Sequence, residues 1–206
     1  YTFDLILNVD AGGKFIVLPR NVAVSSATSA VSELTEDEDV MQELSASFAK
    51  AMTDIYHTDA CDKARYSGII HGVQMGNEAP ALADSVYTMY RGLMLSTHIA
   101  CCKYPPASEL PDIWMSSLQP LLNVLSKSIQ GIQGVVQNEK GEVIQDYSLQ
   151  LDSKPKQDMK SSFFVLSTVG HHTITIEAPG YNAVTRPVLL RENTPDFQNI
   201  TLKQES

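Results

Sequence analysis

At Gly131 the hydrophobic pattern of this chain changes period. Upstream, Ile113, Trp114, Leu118, Leu121, Leu122, Leu125 and Ile129 recur at helical spacing. Downstream, residues 131–137, 147–151, 162–166, 173–177, 183–189 and 197–202 form short runs, several alternating in steps of two. A helix buries one stripe, whereas a strand buries every second residue, so the two patterns need different layers to cover them. Turn residues separate the later runs: Asn138-Glu139-Lys140-Gly141, Gly170-His171 and Pro179-Gly180. The chain therefore reads as an α/β segment over residues 1–130 followed by a small all-β sandwich over 131–206.

Within the first segment, residues 4–9 and 15–18 read as strands on either side of Gly12-Gly13. The acidic stretch from Glu33 to Asp39 contains Thr35, a candidate N-cap, with acidic side chains set against the positive end of a helix dipole. The helix that follows would bury Val40, Leu44, Phe48, Met52 and Ile55. Residues 21–30 read as loop, 59–75 as irregular and 79–93 as mixed. A strand over residues 94–102 is stopped by Pro105, Pro106 and Pro111. The stripe from Ile113 to Ile129 is expected to be core, because a packed helix needs such a face.

Charge narrows the function. A net charge of −9 argues against binding a nucleic-acid backbone and would repel anionic membranes. No apolar run is long enough for a membrane span. Strand-like sequence begins at once at Tyr1, which suggests a chain cut from a longer precursor. There is no G-x-S-x-G, P-loop or G-x-G-x-x-G. His171 and His172 are adjacent, and neighbours on a strand point to opposite faces, so they make a poor metal pair.

Two segments carry a family resemblance. One is His98-Ile99-Ala100-Cys101-Cys102-Lys103-Tyr104-Pro105, close to a pattern E-L-S-C-C-K-Y-P. The other is Gly131-Ile132-Gln133-Gly134 with Ala178-Pro179-Gly180-Tyr181, close to patterns G-I-x-G and A-P-G-Y. With these the chain resembles the zinc metallocarboxypeptidases of the carboxypeptidase N/E/D subfamily. The resemblance implies the C-terminal part of a mixed carboxypeptidase sheet with helices, then a transthyretin-like β-sandwich.

It also implies where the active-site positions fall. The catalytic Glu position holds His98. A zinc-ligand His in L-H-G-G-S-L-V corresponds to Asp10 without a gap, or to Ala11 if the glycines are aligned differently. The segment M-Q-D-Y-N-Y corresponds to residues 82–87, so the Tyr that covers substrate is replaced by Ser85, while Asp84 and Tyr87 are kept. The H-x-x-E ligand motif is missing. The nearest stretch, His71-Gly72-Val73-Gln74, lacks the Glu, and His71 is expected to be an ordinary loop histidine. Cys61 is implied to pair with Cys101, leaving Cys102 free and buried, with Cys61–Cys102 as the rival pairing.

The expectation is a non-catalytic, carboxypeptidase-like module without a cofactor. It would bind a protein or peptide partner, or other modules of the same precursor, in the secretory pathway. Asn199-Ile200-Thr201 is a glycosylation sequon that suits that route. The alternative is a part of an active zinc enzyme that removes C-terminal Arg or Lys from peptides, with its working site elsewhere in the precursor.

Overall fold

The computed structural model describes residues 3–19, 34–57, 61, 67–71 and 82–205. The chain divides into two compact units, Tyr1–Leu125 and Ser126–Ser206.

The first unit is built on a four-stranded mixed sheet. Its strands are β1 (Leu5–Asp10), β2 (Gly13–Leu18), β3 (Gly68–His71) and β4 (Leu93–Ala100), in the order β1-β4-β2-β3. β1 runs parallel to β4, β4 antiparallel to β2, and β2 parallel to β3. The central position of β2 explains its unbroken apolar run. Phe15, Ile16, Val17 and Leu18 are all buried, as expected for a strand covered on both faces. β1 is an edge and stays mostly half-buried.

Helix α1 (Glu38–Ala51) buries Val40, Leu44 and Phe48, and the same face continues through Met52 into Ile55 on a 3-10 turn, Thr53–Tyr56. Its start differs from expectation. Asp37, not Thr35, is the N-cap residue, and it makes no side-chain cap bond. The Thr35 hydroxyl is buried without a partner among the described residues. Glu38 and Asp39 do occupy the first turn, where the helix dipole favours them. Two elements lie where the sequence reads as irregular or mixed: β3, and helix α2 (Leu82–Tyr90). The expected loop at residues 21–30 falls outside the described residues.

Helix α3 (Leu110–Lys127) forms where the stripe placed it, but it is turned differently. Trp114, Leu122 and Leu125 are exposed, and Ile113, Leu118 and Leu121 are only partly covered. The buried positions are Ser117, Pro120, Val124 and, at the helix end, Lys127. The first three, compact residues at this spacing, make a narrow seam that permits close approach. Asn123 Nδ2 donates to the carbonyl of Ser47 on α1 at 3.1 Å from the same side.

The second unit is a seven-stranded sheet in the order β10-β9-β6-β7-β8-β5-β11. Its strands are β5 (Gly131–Asn138), β6 (Asp146–Leu151), β7 (Gln157–Lys160), β8 (Ser162–Leu166), β9 (Gly170–Glu177), β10 (Val184–Leu190) and β11 (Asp196–Leu202). β7 was not legible as a strand; it is short, polar and alternately half-buried. It meets β8 at a single residue pair, Lys160 and Ser162, with Ser161 at a φ of 58° between them. The sheet folds over at that joint. Tyr147, Leu149, Ile174, Ile176 and Val188 from one half share a core with Ile132, Val136, Phe163, Ile200 and Leu202 from the other. Arg186 on β10 reaches the carbonyl of Asn199 on β11 at 3.3 Å, so the two end strands approach each other. This is the sandwich arrangement expected of short alternating strands.

β5 and β11 are parallel neighbours that lie unusually close at Gly134. A Cβ there would stand 1.8 Å from the carbonyl oxygen of Gln198, so only glycine fits.

Candidate functional site

The positions singled out by sequence fall on three elements, and the structure brings two of them together. Asp10 ends β1 and is the register partner of His98 on β4. His98 is also the register partner of Phe15 on β2, and its ring stacks on the Phe15 ring with centroids 4.1 Å apart and planes 18° apart. The His98 Nδ1 lies 3.2 Å from the carbonyl oxygen of Ala11. A carbonyl can only accept, so Nδ1 carries the proton and Nε2 is the lone-pair nitrogen in the neutral ring. Burial pushes the His98 pKa below its ordinary value, against smaller opposing effects from the Ala11 carbonyl and the Asp10 carboxylate.

Lys103 closes this corner. Its ammonium bonds Asp10 Oδ1 at 2.5 Å and lies 3.3 Å from the Ala11 carbonyl oxygen. The Lys103 bond, followed by the Ala11 N–H bond to the same carboxylate, holds Asp10 below the usual carboxylate range. Gly12 makes the turn possible at a φ of 99°, and a Cβ there would sit 3.2 Å from the Lys103 stem. The segment bearing Lys103 is tethered by a Cys61–Cys101 disulfide, with a Cα–Cα distance of 5.3 Å. Cys102 is free, but exposed rather than buried. β4 ends at Ala100, so strand alternation no longer directs the residues of the bend beyond it.

Ser85 lies on α2, half-buried, and no hydrogen bond or ion pair joins it to Asp10 or His98. Its neighbours have structural work. Asp84 is buried. Tyr87 is buried, and its hydroxyl donates to Asp37 Oδ2 at 3.0 Å while accepting from the Glu36 N–H at 3.1 Å. Arg91 lies with its guanidinium carbon 5.6 Å from the Tyr87 ring centroid and also bonds Glu36. Burial first, then the Asp37 charge, pushes the Tyr87 pKa far up, so the phenol is a permanent donor. This lock joins α2 to the segment before α1. The spacing of Asp37, Tyr87 and Arg91 gave no sign of it.

His71 is not a loop histidine. It ends β3, and its Nε2 lies 3.0 Å from Glu38 Oε1 of α1, the oxygen that Gln42 also bonds at 2.7 Å. On β9, His171 is exposed and His172 buried, facing opposite ways as strand geometry requires. His172 Nδ1 lies 2.8 Å from Asp152 Oδ2, and its Nε2 lies 2.8 Å from the Thr168 carbonyl oxygen. Asp152, twenty residues away in sequence, had no motif to announce it.

Among the described residues, no three His, Cys, Asp or Glu side chains gather to hold a metal ion. Asp10 itself fits one poorly, because the Lys103 ammonium already occupies Oδ1. No helix among the described residues is long and apolar enough to cross a membrane.

No protein-family profile matches the chain. Curated proteins do. The chain is 26% identical over 183 residues to carboxypeptidase D of Drosophila melanogaster, covering 87% of this chain and 13% of that protein. It is 23% identical over 190 residues to carboxypeptidase M of Mus musculus, covering 88% of the chain and 43% of the relative. It is 23% identical over 214 residues to the carboxypeptidase N catalytic chain of Homo sapiens, covering 99% and 46%. The chain thus spans less than half the length of each. These relatives are all metallocarboxypeptidases, and the resemblance carried by Cys101-Cys102-Lys103-Tyr104-Pro105 is to their family. They also correct the expectation of a module without a cofactor. Relatives in a zinc peptidase family make zinc the cofactor to expect, and the missing ligand cluster among the described residues weighs little against that.

Proposed function

We propose that this chain is part of a carboxypeptidase-like module that binds or scaffolds a peptide or protein partner rather than cleaving it. The observation that carries the reading is His98. At the position where the resemblance puts a catalytic carboxylate stands a neutral ring stacked on Phe15 and bonded to the Ala11 carbonyl. A carboxylate base there would be anionic before accepting its proton; His98 brings no such charge. Beside it, Lys103 neutralises Asp10. The all-β unit is read as the transthyretin-like domain on the strength of Gly131-Ile132-Gln133-Gly134 and Ala178-Pro179-Gly180-Tyr181. The Cys61–Cys101 disulfide supports an oxidising, secretory-pathway compartment. Asn199, exposed on the edge strand β11, is open to a glycan.

The relatives favour a second reading, in which the chain belongs to an active zinc metallocarboxypeptidase acting on C-terminal Arg or Lys. The test uses the full-length protein, with zinc measured per chain and hydrolysis followed on peptides ending in Arg or Lys. No turnover is expected from the module that contains His98. Turnover that survives His98→Ala places catalysis in another module. Zinc-dependent turnover abolished by His98→Ala overturns the binding reading.

A further inference from the structure

Helix α3 has two apolar faces, and only the narrower one is covered. That covered face is the seam through Ser117, Pro120 and Val124. Roughly 120° round the helix from it, Leu110, Trp114, Met115, Leu118, Leu122 and Leu125 share an arc of about 140°. An apolar stripe of that width is what a helix turns towards a core. Here it faces outward: Leu122 is 43% exposed, Met115 is 68% exposed, and Leu110, Trp114 and Leu125 lie between them. Five large side chains about half exposed present on the order of 600 Å2 of apolar surface, as much as the largest patch on an ordinary monomer. A standard interface takes about 800 Å2 from each partner, and the half-covered Leu118 and Leu121 bring the stripe close to that figure.

Charge and spacing say what fits the stripe. No residue from Ile113 to Ser126 is charged, so a charged peptide of either sign would find no complement there. The exposed polar residues beside the stripe are Asp112, Ser116, Gln119 and Ser126, without the lysines and arginines of a helix that lies on a lipid surface. Copies of a chain with net charge −9 repel each other, and a charge-free stripe is where two can meet without forming a like-charge pair. Trp114, Leu118, Leu121 and Leu125 are separated by four, three and four residues, a seam of the coiled-coil kind. That series reads the same from either end. A twofold axis midway between Leu118 and Leu121 therefore sets Trp114 opposite Leu125, and Leu118 opposite Leu121, in an antiparallel copy.

We propose that the outward stripe of α3 is a dimerisation face, on which a second copy of this chain lays its own α3 antiparallel. The contact is self-complementary, with the bulk of Trp114 at each end meeting the smaller Leu125 of the other copy. It stands apart from the reading of His98, because no residue of that corner lies on α3.

The test is sedimentation and light scattering on the whole chain over a concentration series. A monomer–dimer equilibrium is expected, with the emission of Trp114, the single tryptophan, moving to the blue as dimer forms. Association should tighten as salt rises, because screening relieves the repulsion between the two acidic copies. Met115→Glu and Leu122→Glu, both at exposed positions, should each weaken the dimer at least about tenfold by burying a lone charge. The urea midpoint of the dilute monomer should stay unchanged in both variants, which separates lost pairing from lost folding. Trp114→Glu and Leu125→Lys should each be monomeric alone, whereas an equimolar mixture should dimerise, because the antiparallel register sets the two new charges opposite each other. A chain that stays monomeric at every concentration overturns the proposal, as does a dimer indifferent to Met115→Glu and Leu122→Glu. A mixture that fails to dimerise overturns the antiparallel register. Binding to phosphatidylcholine vesicles that the same variants abolish overturns the assignment to a second copy. So does a full-length protein that is monomeric yet shields Trp114 from acrylamide quenching.

Discussion

Removing the Cys61–Cys101 cross-link should cost the first unit about 4 kcal/mol. The bond closes a loop with a sequence separation of 40. On the chain-entropy account, a cross-link over about 40 residues removes roughly 13 cal/mol/K from the unfolded ensemble, or ~4 kcal/mol at 25 °C. The perturbation is the double variant Cys61→Ala/Cys101→Ala. Alanine avoids leaving a hydroxyl at Cys61, which is only 7% exposed. The assay is urea unfolding followed by the fluorescence of Trp114, the single tryptophan, which lies in the first unit. With a slope of about 2 kcal/mol/M, the midpoint should fall by about 2 M. The second unit has no cysteine, so its unfolding should be unchanged. A midpoint shift under about 0.5 M would refute the reasoning. So would a single Cys101→Ala variant that keeps full stability by pairing Cys61 with Cys102, because the bend bearing Lys103 would then not depend on Cys101.

Four further outcomes follow from the geometry. Gly134→Ala should destabilise the second unit by about 3 kcal/mol in chemical denaturation, the upper end of overpacking penalties, because the Gln198 carbonyl it meets is backbone and cannot swing aside. Ile200→Ala, at a fully buried core position, should cost about 2–5 kcal/mol in the same measurement. For Asp152, burial alone would raise the pKa, but bonds from His172 and the Thr173 N–H outweigh it and hold the value below 3.8. Its stabilising contribution is therefore complete above that ordinary value and lost as pH falls through the lower folded one, so Asp152→Asn should flatten the acid limb of stability against pH. Iodoacetamide on the native chain should add one label, at Cys102; two or three labels would contradict the disulfide.

Much of the fold was legible because its signals are local. Six of the seven β strands of the second unit show as short apolar runs, several of them alternating, and the Val40-to-Ile55 face is buried as its spacing requires. β7 was hidden because Gln157, Asp158 and Lys160 carry no apolar alternation; its ladder with β6, not its side chains, makes it a strand. The burial of α3 was misread for a related reason. Periodicity gives the angle of an apolar stripe but not the partner. Here the covered seam runs through Ser117, Pro120 and Val124; a hydrophobicity count passes over the first two, and the exposed stripe of larger residues outweighs the third.

The candidate site was half legible, and the division is physical. Asp10 and His98 could be placed by aligning motifs, since the two are register partners on paired strands. What happens to their charges could not. Lys103 reads as part of a Cys-Cys-Lys-Tyr-Pro signature, yet its ammonium lands on Asp10, ninety-three residues away. Phe15 reads as one residue of a buried strand, yet it supplies the face on which His98 rests. The two effects on His98 oppose each other. Pairing with Lys103 keeps Asp10 ionised and so favours a charged His98, but burial against Phe15 outweighs that pull and leaves the ring neutral. A substitution that restored only the carboxylate, His98→Glu, would put a second anion beside Asp10 with Lys103 already engaged. It should therefore raise the Glu pKa and weaken the fold near neutral pH, without by itself producing peptidase turnover. Turnover from that single change would show that the rest of the catalytic machinery is intact.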